Sequence, residues 1–333
     1  MNKACLLFVC TLLIVLGAGC AEQPILPAAS TPKLETQSQP EATATPTIEK
    51  QTPDQAVVVQ ATQIPATDIL VLPTPTSTFQ PPTPTYDPEA WTELPVIPEI
   101  SDRVKEIYLH GLELGNNPKA FSKIGDCGST PAWFLGDFDR GPRYFSLGEY
   151  QGLQSVIMEF QGSYDRTSLA AKSGFNASSI FSSLWSNREF CQTKESPIAC
   201  EYRVHKPAFA FIMLGTNDVW HQESFEPQMR KIIELSIENG VVPILSTKVD
   251  DREGDGSINA TIARLANEYQ IPLWNFWAAA QLLPDYGLQE DGSHLTWGPN
   301  QFDDLQAMQK AWPVRNLTAL QVLMETWQYV TSP

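Results

Sequence analysis

Histidine is scarce in this chain, with four in 333 residues. His110, His205 and His221 have no second ligand at a spacing typical of zinc sites, so neither a metal nor a cofactor is expected. Basic residues are few as well: 22 Lys and Arg against 38 Asp and Glu give a net charge of −16. Because no stripe of basic residues with interleaved aromatics occurs, nucleic acid is not expected as a partner.

The sequence also has no apolar run long enough to remain in a membrane as a span. The chain opens with MNKACLLFVCTLLIVLGAGC, in which one Lys, an apolar segment and small residues are typical of an export signal, residues 1–20. The LGAGC ending resembles the lipobox of bacterial lipoproteins, with Gly17 where that box usually has Leu. This resemblance implies that Cys20 takes a lipid, so we expect an extracytoplasmic protein anchored to the cell membrane. Plain secretion is the alternative.

Residues 21–99 contain 15 of the 27 prolines, with many Thr and Gln and few aromatic residues. Such a segment cannot bury enough apolar surface to offset its ordering entropy, so it is predicted to be a disordered tether. Residues 100–333 are long enough for one domain with a full core, which we expect to be a monomer.

Of the six cysteines, two leave with the signal and Cys20 takes the lipid, so the exported domain keeps three. In an oxidising compartment an odd number predicts one disulfide and one free thiol. Cys191 and Cys200 close a short loop and form the simplest pair, which would leave Cys127 free. Pairing of Cys127 with either of them is the alternative.

Apolar periodicity and turn residues predict alternating strands and helices in the domain. Ser224 is predicted as the N-cap of one helix, with Pro227 in its first turn. This alternation favours a three-layer α/β/α fold, in which right-handed crossovers place helices on both faces of a central parallel sheet. The predicted strands are 119–127, 209–218, 241–249 and 271–277, and the predicted helices are 146–160, 224–239, 257–269 and 315–330.

An acid and a histidine near the C-terminus have the spacing of a carboxylate that orients a catalytic imidazole. Asp291 stands three residues before His294 on a Gly-containing loop, in EDGSHLTWGPN. A carboxylate at this spacing can accept the Nδ1 proton of the imidazole, which leaves Nε2 free to act as a base. By contrast, the acidic stretch DDREGDGS, residues 250–257, lacks the ligand spacing of a calcium loop and is predicted to be solvated.

Four motifs then occur in a fixed order: Gly125-Asp126-Cys127, Gly174 in AKSGFNASS, Gly215-Thr216-Asn217-Asp218, and Asp291-x-x-His294. Their order and spacing resemble those of the SGNH, or GDSL, hydrolases over about residues 118–296. The resemblance implies the flavodoxin-like fold of that family and an esterase activity. It also implies an oxyanion site made by the Asn217 amide, the Gly174 N–H and the N–H of the nucleophile, with His294 as base and Asp291 as its orienting partner.

The chain departs from this family at the nucleophile, because Cys127 stands where the family has Ser. We consider three hypotheses: Cys127 attacks the ester through a thioester, Ser129 supplies the hydroxyl after a shift of the turn, or Cys127 is a disulfide partner or part of an inactive site. Together with the expected compartment and tether, the resemblance implies an esterase acting on O-acyl, in particular acetyl, esters of extracellular or cell-wall glycans or on small esters, although no residue specifies the substrate. The rival interpretation is a catalytically inactive module that binds a glycan or an acyl group.

Overall fold

The structure is a computed structural model that describes residues 90–333. The predicted export signal, Cys20 and most of the predicted tether lie outside the described residues. No helix within residues 90–333 is long and apolar enough to cross a membrane.

A four-stranded parallel sheet forms the centre of the domain, in the order β1-β3-β4-β5. Every residue of β3 is buried, as its continuous apolar sequence predicts for a strand covered on both faces. A second, two-stranded parallel sheet pairs β2 with β6. The strands are β1 (Asn117–Gly125), β2 (Phe145–Ser146), β3 (Pro207–Met213), β4 (Val242–Ser246), β5 (Leu273–Trp274) and β6 (Asn300–Gln301).

The helices form two groups, which give the predicted three-layer α/β/α fold. Helices α5 and α6 contact each other and β4, and α4 joins their layer through a hydrogen bond between Tyr202 and Ser236, 2.7 Å long. On the other side, α1 and α8 contact each other and the sheet. The helices are α1 (Asp102–Glu113), α2 (Asp137–Arg140), α3 (Gln154–Glu159), α4 (Pro197–His205), α5 (Gln222–Glu238), α6 (Ser257–Tyr269), α7 (Phe276–Ala280) and α8 (Ala311–Thr331).

Several predicted boundaries are wrong. The helix predicted over 146–160 is an α-helix only from Gln154 to Glu159; a 3-10 turn at Gln151–Leu153 precedes it, and Gly148 has a φ of 52°, which lies outside the right-handed helical region. Helix α5 begins before Ser224, and Pro227 lies in its second turn rather than its first. The strand predicted over 271–277 is reduced to β5, since α7 begins at Phe276.

Residues 90–97 belong to the domain and not to the tether, so the boundary predicted after residue 99 moves toward the N-terminus. Trp91 is buried, and its ring meets that of Trp277 edge-on at 4.7 Å. The buried amide of Asn275 donates hydrogen bonds to the carbonyl oxygens of Trp91 and Leu94, at 3.0 and 2.9 Å. This segment therefore satisfies a polar group that would otherwise be buried without a partner.

Cys191 and Cys200 form a disulfide, with their Cα atoms 5.2 Å apart, as the loop between them predicts. Cys127 is a free cysteine. The hypothesis that Cys127 pairs with Cys191 or Cys200 is therefore wrong, because both of those sulfurs are already bonded to each other.

Candidate active site

A cavity of about 310 Å³ lies at the carboxyl ends of the central strands, where parallel α/β sheets usually bind their ligands. Four of the five predicted site residues line it: Cys127, Gly174, Asn217 and His294. The fifth, Asp291, is bonded to the ring of His294. Four chain segments that are far apart in sequence thus meet around one space.

Cys127 begins a short 3-10 helix directly after β1. The turn is built by its neighbours: the Asp126 carboxylate accepts the Gly128 N–H at 2.9 Å. A Cβ at Gly125 would stand 2.3 Å from the carbonyl oxygen of Met213, so the two strands can approach only at a glycine. The local sequence Gly-Asp-Cys-Gly therefore fixes the position of the thiol.

Burial is the main reason why the pKa of the Cys127 thiol is raised above its ordinary value, and the neighbouring charge of Asp126 raises it further. The backbone N–H groups of Gly128 and Cys127 and the charge of Arg315 act in the opposite direction. The thiol is consequently protonated at neutral pH, so it needs a base before it can act as a nucleophile.

Ser129 does not offer a substitute nucleophile. Its side chain is completely buried, and its Oγ has no hydrogen-bond partner and does not line the cavity. The space beneath Gly125 is filled by this hydroxyl, which would lie 2.3 Å from a Cβ there. The hypothesis that Ser129 reaches the substrate is therefore contradicted, because the hydroxyl points into the packed interior.

The segment before Gly174 runs alongside the end of β1. Gly125 N–H donates to the carbonyl oxygen of Ala170, and Lys172 N–H donates to that of Gly125, both at 3.1 Å. Gly174 itself has a φ of 80°, which favours glycine, and a Cβ there would meet open space. No hydrogen bond among residues 90–333 uses the backbone N–H of Gly174, so this donor is available to a ligand.

Asn217 lies in the turn after β3, where Gly215 has a φ of 126°. One side-chain N–H of Asn217 donates to the carbonyl oxygen of Phe175 at 3.0 Å, which leaves the second N–H of the amide without a partner. The buried carboxylate of Asp218 braces this turn by accepting the N–H groups of Ala177 and Gly215, at 2.9 and 3.1 Å. Burial raises the pKa of Asp218 to about 6.

The pair of Asp291 and His294 has the geometry that its spacing predicts. Asp291 Oδ2 lies 2.5 Å from His294 Nδ1, and Oδ1 accepts the backbone N–H groups of Ser293 and His294. These hydrogen bonds lower the pKa of Asp291 to about 2, so the carboxylate keeps its charge. Both side chains are largely exposed, and in the described part of the chain no hydrogen bond joins His294 to Cys127.

Arg315 is a site residue that the sequence did not reveal. Its guanidinium is buried, lines the cavity and donates to the carbonyl oxygen of Gly128 at 2.7 Å. It also lies over the rings of Phe134 and Trp312, at 4.7 and 5.2 Å from their centroids. Burial lowers the pKa of Arg315 to about 10, against the opposite effect of Asp126 and Cys127. A cation thus lies against the turn that holds Cys127.

The acidic stretch after β4 is only partly solvated, so that prediction is wrong for two of its residues. Lys248 Nζ donates to the carboxylates of Asp250 and Glu253, at 3.0 and 2.6 Å, and both acids have almost no exposed side-chain surface. Thr216 donates a further hydrogen bond to Asp250 at 2.7 Å. Both buried carboxylates are thus paired with the same ammonium group, so these two residues belong to the packed edge of the cavity and not to a solvated loop.

Within residues 90–333, a single group of His, Cys, Asp and Glu side chains has its ligand atoms at metal-binding distances: Cys191, Glu195 and Cys200. The two sulfurs are joined in the disulfide, and Glu195 is held by Arg203 at 2.7 Å. This group is therefore explained without a metal ion.

No protein-family model matches the chain, and no curated protein matches it either. Among solved structures, the chain is similar to a GDSL-like lipase from Bacteroides thetaiotaomicron, with 14% identity and a TM-score of 0.40 over 67% of this chain and 97% of that chain. It is also similar to a catalytic mutant of an acetylxylan esterase from Geobacillus stearothermophilus, with 16% identity and a TM-score of 0.39 over 61% of this chain and 93% of that chain. At these values neither likeness carries a conclusion about chemistry, so the roles of the site residues rest on their own geometry.

Proposed function

We propose that the chain is an esterase that hydrolyses O-acyl esters, in particular acetyl esters, of extracellular or cell-wall glycans. The observation that carries the proposal is that Cys127, Gly174, Asn217 and His294 line one cavity. Acyl transfer requires a nucleophile, a base and hydrogen-bond donors for the oxyanion. This cavity offers a thiol, an imidazole held by a carboxylate, and unpaired N–H donors.

The reaction has two balanced steps. First, Nε2 of His294 takes the thiol proton while Sγ of Cys127 forms a bond to the ester carbonyl carbon. The C–O bond then breaks, the alcohol leaves with that proton, and a thioester remains on Cys127. Second, Nε2 takes a proton from water as the water oxygen attacks the thioester. The C–S bond breaks, the proton returns to sulfur, and the carboxylic acid is released.

Negative charge develops on the carbonyl oxygen in both steps. The unpaired amide N–H of Asn217 and the backbone N–H groups of Gly174 and Cys127 are the donors proposed to stabilise it. One such donor typically lowers the barrier by about 2.7–4 kcal/mol. The bond from Asn217 to the Phe175 carbonyl ties the first two donors to each other, so they form one preorganised unit.

Proton transfer requires His294 to come within hydrogen-bond reach of Cys127. Its loop is exposed, and catalytic hydrogen bonds are often long before substrate binds. Asp291 is well placed to hold the imidazole in one tautomer during this approach, since its carboxylate bonds both Nδ1 and the backbone of the loop.

The sequence of the N-terminal region supports the proposed location. An apolar segment that ends in a lipobox-like LGAGC, followed by a Pro- and Thr-rich tether, suits a lipoprotein whose domain works outside the cytoplasm. A lipid on Cys20 would hold the domain near the membrane, within reach of envelope glycans. We propose that the domain acts there as a monomer.

A binding module is the second candidate function, and one observation favours it. The pKa of the Cys127 thiol is raised, mainly by burial, and no partner within residues 90–333 takes its proton. A cavity with such an inert thiol would bind an acyl group or a glycan without turnover.

An esterase assay separates the two candidates. The reduced domain should hydrolyse p-nitrophenyl acetate, iodoacetamide should abolish this activity, and Cys127→Ser should retain or raise it because Ser also serves as a nucleophile beside a base. Cys127→Ala should be inactive, while Ser129→Ala is the matched control and should behave as the parent, since its hydroxyl is buried outside the cavity. If the parent and Cys127→Ser are both inert across several acyl esters, the binding module replaces the enzyme.

A further inference from the structure

A second cavity, of about 390 Å³, lies beside the candidate active site and shares the indole of Trp312 with it. Trp312 approaches the nucleophile turn closely: a Cβ at Gly128 would stand 3.6 Å from its ring. On the other side, Trp133 stacks on Trp312 with centroids 5.5 Å apart and planes inclined by 27°. The indole of Trp312 therefore lies between the second cavity and the turn that holds Cys127.

The rim of this cavity exposes large aromatic surface. Trp133 and Trp297 are 45% and 64% exposed, although both belong to the lining. An exposed indole offers a flat apolar face with electron density above the ring, which attracts the weakly positive C–H groups of a ligand. Two such rings at one opening indicate a ligand with a flat face of C–H groups.

The floor of the cavity is polar and fixed. Asn300 donates to Asp137 at 2.8 Å, Asn316 donates to Asn300 at 3.0 Å, and the backbone N–H of Leu135 donates to Asn316 at 3.1 Å. Both asparagines are 4% exposed. Leu135 has a φ of 63°, a left-handed conformation that is unfavourable for a non-glycine residue and is more frequent at binding sites.

Arg143 adds hydrogen-bond donors at the same opening. Its guanidinium lies 4.7 Å from the ring centroid of Tyr144 and donates to the hydroxyl of that residue. In the part of the chain that the structure describes, no carboxylate pairs with Arg143, whereas the neighbouring Arg140 pairs with Asp137 and Asp165. The donors of Arg143 are consequently available to a ligand that carries oxygen atoms.

We propose that the second cavity binds a sugar unit of the glycan whose acyl group is cleaved at Cys127. A sugar ring combines a face of C–H groups, which would stack on Trp133 and Trp297, with hydroxyl groups, which would accept from Arg143. An acyl chain has no oxygen atoms along its length to accept from Arg143, so it would use the aromatic faces alone. This inference rests on the proposed esterase function and specifies how its substrate is held.

The test compares two kinds of ester. The substrates are p-nitrophenyl acetate and O-acetylated oligosaccharides with xylose, mannose or N-acetylglucosamine backbones. Trp133→Ala, Trp297→Ala and Arg143→Ala should each lower kcat/KM on at least one oligosaccharide by about fivefold to tenfold relative to p-nitrophenyl acetate, mainly through KM. Trp185→Ala is the matched control, because that indole is 53% exposed and lies outside both cavities. An unchanged ratio in all three variants overturns the proposal.

A binding experiment keeps this test separate from the esterase activity. The deacetylated forms of the same oligosaccharides are titrated into the parent, the three variants and Trp185→Ala by calorimetry. The proposal predicts that the parent and the control bind at least one of them and that the Trp133 and Trp297 variants bind it at least about fivefold more weakly. Absence of binding by the parent, or equal binding by all variants, refutes the subsite even if esters are hydrolysed.

Discussion

Arg315 donates a hydrogen bond of 2.7 Å to the carbonyl oxygen of Gly128, the residue after Cys127. This bond places a buried cation against the turn that holds Cys127, while Asp126 places an anion directly before Cys127 in the chain. The two charges act on the thiol in opposite directions: Asp126 raises the pKa of Cys127 and Arg315 lowers it. The reactivity of Cys127 is therefore set by a balance that single substitutions can shift.

The first prediction concerns this balance. Iodoacetamide reacts with the thiolate, so the alkylation rate of Cys127 should rise with pH to a midpoint above the ordinary pKa of a cysteine thiol. Asp126→Asn should move that midpoint to lower pH, because it removes a negative charge, and Arg315→Met should move it to higher pH. Rates measured by mass spectrometry across a pH series, with circular dichroism to verify folding, check this. Shifts in the same direction for both variants would contradict it.

The second prediction separates the base from its orienting partner. His294→Ala should lower kcat on p-nitrophenyl acetate by about 10²–10⁴, the usual contribution of a general base. Asp291→Ala should cause a smaller loss, because the imidazole remains but spends time in the wrong tautomer. Steady-state kinetics of both variants check the order. An Asp291→Ala variant as active as the parent would show that the 2.5 Å contact is not used in catalysis.

The third prediction concerns the oxyanion donors. Asn217→Ala should lower kcat by about 10²–10³ with the fold intact, since it removes one donor to the developing charge. The loss should fall on kcat more than on KM, because the donor is needed chiefly in the transition state. Thr216→Ser is a conservative control in the same turn that keeps the hydroxyl bonded to Asp250. A large rise in KM with kcat unchanged would instead assign Asn217 to ground-state binding.

The fourth prediction concerns the N-terminal boundary of the domain. A chain beginning at Ile100 should be less stable than one beginning at Tyr86 by about 2–4 kcal/mol, since it loses a buried Trp91 and two hydrogen bonds of Asn275. Urea unfolding of both chains measures the difference, and Trp91→Ala in the longer chain isolates the contribution of the indole. Equal free energies of unfolding would place residues 90–97 with the tether after all.

The sequence predicted the central elements well where local signals agree. Helix α6 has the predicted bounds, because it lies between a Gly-rich loop and a polar stop, and β3 is a continuous apolar run. The helix predicted over 146–160 is too long. Apolar residues recur at helical spacing over the whole range, but Gly148 and Gly152 lie in tighter turns before α3 begins. Four helices, α1, α2, α4 and α7, were not predicted. Helices α2 and α7 span only four and five residues, whereas α1 was missed although Val104, Ile107 and Tyr108 recur at helical spacing.

The candidate site was predictable only in its motifs. Asp291 and His294 are three residues apart, so their contact is local and can be inferred from spacing. Arg315 contacts Gly128 across 187 residues, and no local pattern marks it, since it lies inside a largely apolar helix. The burial that raises the pKa of Cys127 likewise depends on how distant segments pack around the turn.

The most direct test of the account is to trap the acyl group on Cys127. The reduced domain is mixed with p-nitrophenyl acetate, quenched in acid, digested and analysed by mass spectrometry, with Cys127→Ala as the control. We predict one acetyl group, on the peptide that contains Cys127, which forms as nitrophenol is released and disappears as the substrate is exhausted. Turnover of the ester without any acetylated Cys127 would contradict the thioester mechanism. So would a Cys127→Ala control that becomes acetylated at other residues to the same extent as the parent.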